Sequence, residues 1–131
     1  MKKLGWKIDA IEINRDLKRF IRNELKINVM NQNILSKKIY IKRKYNLITL
    51  NKVLEHFNFS DSVKVLKNLK KLLDKNGCIY IEVPDGVGAL NSSINRQEFY
   101  FEHFNIFSNK SIKIFLENLN FKLLLIKKVK E

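Results

Sequence analysis

Three polar side chains follow an almost unbroken apolar run in this sequence. Residues 47–50 read Leu-Ile-Thr-Leu, and Asn51, Glu55 and His56 come soon after them. An apolar run of this kind predicts a strand that is covered on both faces, as in a parallel sheet. Ligands bind open α/β sheets just beyond the carboxyl ends of the strands. We therefore expect Asn51, Glu55 and His56 to lie at a ligand-binding edge rather than in the core.

A second group of reactive side chains lies in an aromatic stretch, residues 98–108, which reads EFYFEHFNIFS. His103 titrates near neutral pH, and an adjacent carboxylate such as Glu102 can hold its tautomer and raise its basicity. Tyr100, Glu102 and His103 are therefore candidate catalytic residues on the substrate side. The alternative is a buried histidine that a backbone carbonyl satisfies, within a cluster whose phenylalanines form core or lid.

An acidic side chain also ends the first predicted strand. Residues 7–13, KIDAIEI, alternate as in a short strand, and apolar spacing predicts a helix over residues 16–25 with Asn14 as its N-cap. In nucleotide-binding α/β domains an acid at this place accepts hydrogen bonds from both hydroxyls of a ribose. Glu12 is the candidate for that role, and a solvated acid at a strand end is the alternative.

The rest of the chain also predicts alternating strands and helices, which is typical of an α/β fold. The further strands are predicted over residues 28–34 (with the exit turn), 45–50, 78–83 and 121–129. The further helices are predicted over residues 62–73 and 110–118, the second with Ser108 as its cap. Residues 35–44 are expected to form a basic linker that carries no chemistry.

Turn-forming residues predict where these elements end. Ser60 or Asp61 is expected to cap the helix over residues 62–73, and Asn76–Gly77 to end it. Cys78 is expected to be a small core residue rather than a nucleophile. A polar loop is expected over residues 85–96, a place where function is common because it follows a strand's carboxyl end.

Two stretches together resemble a known family. Residues 45–57, YNLITLNKVLEHF, are followed after a helix by residues 76–85, NGCIYIEVPD. This arrangement resembles the middle of class I S-adenosylmethionine-dependent methyltransferases. The resemblance implies a Rossmann-like α/β fold, a three-layer sandwich, in one partial domain over residues 1–131. It also implies S-adenosylmethionine as cofactor and methyl transfer to a small molecule.

The resemblance also implies cofactor-binding residues. The stretch GWKIDAIE is similar to the family pattern G-[WF]-x-V-x-G-V-[ED], which gives Glu12 the ribose role. Asn33 stands near a position where many relatives have an aspartate that contacts the adenine amino group. The turn after the third strand supplies Asn51, Glu55 and His56.

The substrate side carries a narrower resemblance. Tyr-x-Glu-His, followed by an aromatic residue and Ser, is similar to a motif of nucleotide-sugar C-methyltransferases. In those enzymes the histidine is the general base, with the tyrosine and glutamate beside it. The resemblance thus assigns these roles to Tyr100, Glu102 and His103, and implies a nucleotide sugar or glycan precursor as acceptor. A lipid, a quinone-like ring or another small metabolite stays open.

Parts of the family pattern are missing from this sequence. The first strand and its glycine-rich turn, usually D-x-G-x-G-x-G, would precede Gly5, and the last antiparallel strand is also not found. The family's first strand lies mid-sheet, so the strands at residues 7–13 and 45–50 must pair directly or leave open edges. We expect a truncated or split methyltransferase that needs a partner segment, or else a non-catalytic remnant. No metal site is predicted.

The overall composition leaves one further alternative. Lysine and arginine number 26 against 13 acidic residues, a formal net charge of +13. This charge is compatible with a polyanionic partner such as RNA or a nucleotide-linked substrate, but a nucleic-acid partner is not expected. It also fits a composition rich in lysine, asparagine and isoleucine, and no nucleic-acid-binding motif is found. The chain has no apolar run of membrane-spanning length, and its one cysteine excludes an internal disulfide, so a cytoplasmic setting is expected.

Overall fold

The computed structural model describes residues 4–37, 39–90 and 103–129. The chain divides into two compact units, Met1–Lys42 and Arg43–Glu131. Each unit contains one parallel pair of strands, and each is described by itself below. The parallel pairing confirms the predicted sheet type. In the described part of the chain, no helix is both long and apolar enough to cross a bilayer.

The first unit is a small strand–helix–strand arrangement. Strand β1 (Asp9–Ile11) is followed by helix α1 (Arg15–Asn23) and strand β2 (Asn28–Met30). The two strands pair in parallel, with Ala10 opposite Val29. Both are shorter than the sequence predicted, and only Val29 among their residues is buried.

Helix α1 begins as predicted from its capping residue. The Asn14 side chain accepts hydrogen bonds from the backbone N–H groups of Asp16 and Leu17. These donors have no partner within the helix, so the cap satisfies them. Asp16 also lies in the first turn, where a negative charge interacts favourably with the helix dipole.

The second unit is built on strands β3 (Tyr45–Asn51) and β4 (Leu73–Glu82), with helix α2 (Phe59–Leu72) between them in the chain. The strands pair in regular register from Leu47 opposite Cys78 to Asn51 opposite Glu82. The register shifts between Tyr45 and Leu47, so the first residues of β4 form an irregular segment. Both strands therefore end at the same edge of the sheet.

One buried apolar cluster of the second unit forms where the 3-10 turn (Leu54–His56) packs near the ends of β3 and β4. Its buried members are Leu54 of that turn, Leu66 of α2, Phe107 and Ile112. Ile112 belongs to helix α4 (Asn109–Asn118). Ser108 caps α4 as predicted, and Ser111 completes a reciprocal capping box with it. This core fixes the segment around Phe107 against the 3-10 turn.

Several predicted boundaries in the second unit are wrong. Helix α2 begins earlier than predicted because Asn58, rather than Ser60 or Asp61, is its N-cap; the Asn58 side chain accepts from Asp61 N–H at 2.9 Å. The helix ends at Leu72, and Asn76–Gly77 lie inside β4. Gly77 is needed there for close approach, since a Cβ would lie 2.6 Å from the backbone oxygen of Tyr45.

Three further expectations fail. Cys78 is exposed rather than part of the core. The polar loop predicted from residue 85 begins with a short helix, α3 (Gly86–Leu90). Residues 121–129 form no strand, and Leu124 and Leu125 are 74% and 78% exposed. No described strand pairs with this segment, so its apolar sequence does not become part of a sheet.

Strand β3 has one unpaired edge within residues 4–37, 39–90 and 103–129, because β4 is its only partner there. Among the described residues, strands β1 and β2 form one two-stranded sheet and strands β3 and β4 form another. No residue of β3 is fully buried, and Thr49 is exposed. The prediction of a strand covered on both faces is therefore not met.

Candidate functional site

In the first unit, Glu12 directly follows β1, as the sequence predicted. The carboxylate is half-buried, and its Oε1 accepts a hydrogen bond from the backbone N–H of Asn14 at 2.8 Å. Asn14 is itself fixed as the N-cap of α1. A carboxylate that is held at a strand end in this way is pre-positioned to accept from hydroxyl groups.

Asn33 follows β2 and is exposed. Its Oδ1, the atom predicted to accept from an adenine amino group, already accepts from the backbone N–H of Leu35 at 2.9 Å. An amide oxygen has a second lone pair, so the turn contact still permits one further donor. The structure thus gives Asn33 a definite role in a turn.

In the second unit, Asn51 is the last residue of β3, and its side chain is exposed. The next residue, Lys52, has a φ of 51°, in the left-handed region. Its N–H donates to the carbonyl of Glu82 at the end of β4, at 2.9 Å. The chain therefore turns sharply beyond the carboxyl end of the sheet, and the 3-10 turn follows.

Glu55 differs from the prediction in its environment. It lies past the carboxyl end of β3, as expected, but it is only 1% exposed. Both of its carboxylate oxygens are buried without a hydrogen-bond partner. The backbone carbonyl of Glu55, in contrast, accepts a hydrogen bond from Asn105 N–H at 3.2 Å. A buried carboxylate without a donor is uncommon, because burial removes the water that would solvate it.

The two histidines of the chain meet beside Glu55. The rings of His56 and His103 have centroids 4.8 Å apart and an interplanar angle of 69°, an edge-to-face contact. One potential metal-ligand atom from each of Glu55, His56 and His103, a carboxylate oxygen or a ring nitrogen, lies within 4.8 Å of the other two. His56 is exposed and His103 is half-buried. The structure thus brings together residues that the sequence placed in separate cofactor and substrate groups.

Asn105 is the residue that sequence reasoning missed. Its N–H bonds Glu55, and its side-chain amide donates to the carbonyl of Phe57 and to the hydroxyl of Ser62. These contacts attach the segment that carries His103 to the end of the 3-10 turn. The available signal was a polar residue between the apolar residues Phe104 and Ile106. Tyr100 and Glu102 lie outside the described residues.

The carboxyl group of Asp85, three residues beyond β4, has a lowered pKa. A hydrogen bond from the Lys128 ammonium, 2.6 Å from the Asp85 carboxylate, lowers the pKa of Asp85 below its usual value. Backbone N–H groups at the start of α3 act in the same direction, and desolvation opposes them. Asp85 therefore stays charged, and within the second unit it binds the segment that carries Lys128.

Comparisons with known proteins identify the family of the chain. The sequence profile of a family described as a methyltransferase domain matches residues 1–126. The chain belongs to this methyltransferase domain family. No match was found in a search of curated proteins.

A search of solved structures adds support for the fold. The chain is similar to a crystal structure of a SAM-dependent methyltransferase from Archaeoglobus fulgidus, with a TM-score of 0.69 and 20% sequence identity. The similarity covers 92% of this chain and 53% of that chain, so this chain spans about half of that protein's length. The predicted Rossmann-like methyltransferase fold is thereby confirmed.

Proposed function

We propose that this chain acts in S-adenosylmethionine-dependent methyl transfer to a small molecule. The observation that carries the proposal is the match of residues 1–126 to a methyltransferase domain family, on a fold similar to that of a SAM-dependent enzyme. In both units of the chain, polar side chains follow the carboxyl ends of parallel strands. That is where open α/β sheets bind ligands.

Glu12 is the residue proposed to hold the cofactor's ribose. The geometry fits this group, because the carboxyl group directly follows β1 and one of its oxygens is held by Asn14 N–H. A carboxylate has lone pairs for two hydroxyl donors besides that contact. Asn33, Asn51, Glu55 and His56 keep their predicted cofactor-binding roles, although burial makes the Glu55 side chain less accessible than Asn51.

On the acceptor side, the proposal uses His103 as general base, with His56 as the less favoured candidate. The bound sulfonium supplies an activated methyl group, so the protein contributes alignment and removal of the acceptor's proton. The Asn105 contacts fix the segment that carries His103, and the His103 ring contacts the ring of His56. The motif at Tyr100, Glu102 and His103 supports a nucleotide sugar or glycan precursor as acceptor.

The proposal includes a partner segment along the open edge of β3. This strand pairs only with β4 among the described residues, and unpaired strand edges bind further strands readily. The sequence lacks a D-x-G-x-G-x-G turn, which the family uses near the cofactor. The cytoplasmic setting predicted from the sequence belongs to the same proposal.

The test is calorimetric titration of the folded chain with S-adenosylhomocysteine, alone and beside a polypeptide segment that supplies a strand for the open edge of β3. We expect micromolar binding. Glu12→Gln should weaken it about tenfold or more, because a hydrogen bond to a charged group contributes ~1.5–3 kcal/mol. Glu24→Gln, an exposed change of the same type at the end of α1, is the matched control.

The outcome separates two kinds of protein. Binding that depends on Glu12 supports the methyltransferase and justifies a screen for acceptors. A chain that circular dichroism shows to be folded, but that binds no S-adenosylhomocysteine in either titration, would contradict the proposal. It would favour a non-catalytic subunit or remnant that keeps the methyltransferase fold.

A further inference from the structure

Two segments that are distant in the chain bring three ligand-type side chains together. Glu55 and His56 belong to the 3-10 turn after β3, and His103 lies on the segment that Asn105 attaches to that turn. One donor atom from each side chain lies within 4.8 Å of the others. Two imidazoles and one carboxylate are a common ligand set for divalent transition metals.

Glu55 provides an independent reason to expect a cation. Its side chain is almost completely buried, and neither carboxylate oxygen has a hydrogen-bond partner. Removing a carboxylate from water without compensation is unfavourable, and buried charges are normally paired or coordinated to metals. Since the Glu55 oxygens face a histidine pair, a bound metal ion would supply the missing partner.

We propose that Glu55, His56 and His103 bind one divalent transition-metal ion, with zinc as the probe. Zinc ligands at about 2.0–2.1 Å in tetrahedral geometry lie about 3.3 Å from one another. The observed separations of up to 4.8 Å must shorten by roughly 1.5 Å to reach this geometry. His56 is exposed and His103 half-buried, so rotation of their rings can provide the change.

Three protein ligands leave one coordination position open, as in catalytic rather than structural zinc sites. A hydroxyl or carboxylate oxygen of a small molecule could occupy that position. A metal bound to His103 uses the nitrogen that would otherwise take the acceptor's proton, so metal binding and the general-base role exclude each other. The metal proposal does not depend on methyl transfer, because binding is measured directly.

The experiment uses the full chain after treatment with a chelator. Cys78 is an exposed thiol and a competing zinc ligand, so every sample carries Cys78→Ser. Zinc is titrated by calorimetry. We expect one ion per chain. His56→Ala and His103→Ala should each weaken zinc binding by at least about 10- to 100-fold, which is the loss typical when a residue that hydrogen-bonds a metal ligand is removed.

Glu55→Gln tests the carboxylate with little change in volume. It removes the charge and one of the two oxygens, and we expect weakening of the same order as for the histidine variants. Asp16→Asn, an exposed acidic residue in α1, is the control and should leave zinc binding unchanged. Circular dichroism shows whether each variant is folded.

A second measurement needs no variant at these three positions. The chain has two histidines, and both belong to the proposed site. Zinc should therefore shift the imidazole nitrogen signals of both histidines in NMR spectra of the otherwise unaltered Cys78→Ser chain. Unshifted signals, or zinc affinities unaffected by the histidine and Glu55 changes, would overturn the proposal. Failure to bind S-adenosylhomocysteine would overturn only the proposed function.

Discussion

The rings of His56 and His103 meet edge to face, with their centroids 4.8 Å apart. The contact depends on Asn105, whose hydrogen bonds to Glu55 and Phe57 attach the second histidine's segment to the 3-10 turn after β3. This turn begins with Leu54, which is fully buried in the core. The histidine pair is therefore positioned by the fold itself, and its chemistry can be tested one residue at a time.

Replacing His103 with alanine should abolish turnover and spare cofactor binding. A general base contributes about 10²- to 10⁴-fold to the rate, so the turnover number should fall by that range. The measurement is S-adenosylhomocysteine release with an acceptor from the screen, beside calorimetric cofactor binding. His56→Ala serves as the comparison and should reduce turnover less. Unchanged turnover in His103→Ala would remove the general-base role.

Replacing Glu55 with methionine should stabilise the metal-free protein. The substitution keeps an unbranched side chain and removes a buried carboxylate whose oxygens have no hydrogen-bond donor. Leaving such a group unsatisfied costs about 1–3 kcal/mol, and the free energy of unfolding should rise by an amount of that order. Urea unfolding with a chelator present measures it.

The matched control for this change is Glu24→Met, because Glu24 is exposed. It should change the free energy of unfolding by less than about 0.5 kcal/mol. A clear loss of stability in Glu55→Met would show that the carboxylate has a stabilising partner in solution, contrary to the structure.

Leu66→Ala should strongly destabilise the second unit. Leu66 is fully buried and belongs to the core cluster with Leu54 and Phe107. Deleting such a side chain costs about 2–5 kcal/mol, since it removes buried apolar surface and leaves a cavity. Leu124→Ala makes the same chemical change at a position that is 74% exposed, and should cost less than about 0.5 kcal/mol. Equal losses in urea unfolding would contradict the assigned core.

The sequence was sufficient to predict a local structure wherever a single residue determines it, as at the start of a helix. Asn14 and Ser108 cap their helices as predicted, because a short polar side chain before an amphipathic run satisfies the first free N–H groups. Asn120, which follows α4, adopts a left-handed φ of 59°, a conformation that asparagine tolerates better than most residues. Glu12 likewise follows β1 at the predicted strand end.

Contacts between distant segments could not be read from the sequence. His56 and His103 were assigned to different ligands because nothing local shows that the chain returns beside the 3-10 turn. Glu55 was expected at an exposed edge, yet the core around Leu54 buries it. The segment over residues 121–129 looked like a strand from its apolar residues, but a strand also needs a partner, and none is present in the described part of the chain.

The contact between Asp85 and Lys128 predicts a specific pH dependence of stability. The ammonium lies 2.6 Å from the carboxylate, and their hydrogen bond lowers the pKa of Asp85 in the folded protein. An unfolded aspartate has its usual pKa of about 3.9. The stabilisation is therefore complete above that value and is lost as the pH falls through the lower folded pKa. Both side chains are partly exposed, so it should amount to at most about 1 kcal/mol.

Asp85→Asn measures this contribution. The difference between wild type and variant in free energy of unfolding should be constant from about pH 7 to pH 5, and should shrink below the usual aspartate pKa of about 3.9. Lys128→Met should lower stability over the same range, because it removes the cation that holds the carboxylate in its charged form. Salt at about 1 M should reduce both effects, since it screens exposed charges. A difference that grows towards acidic pH would have the wrong sign for a lowered pKa and would contradict the contact.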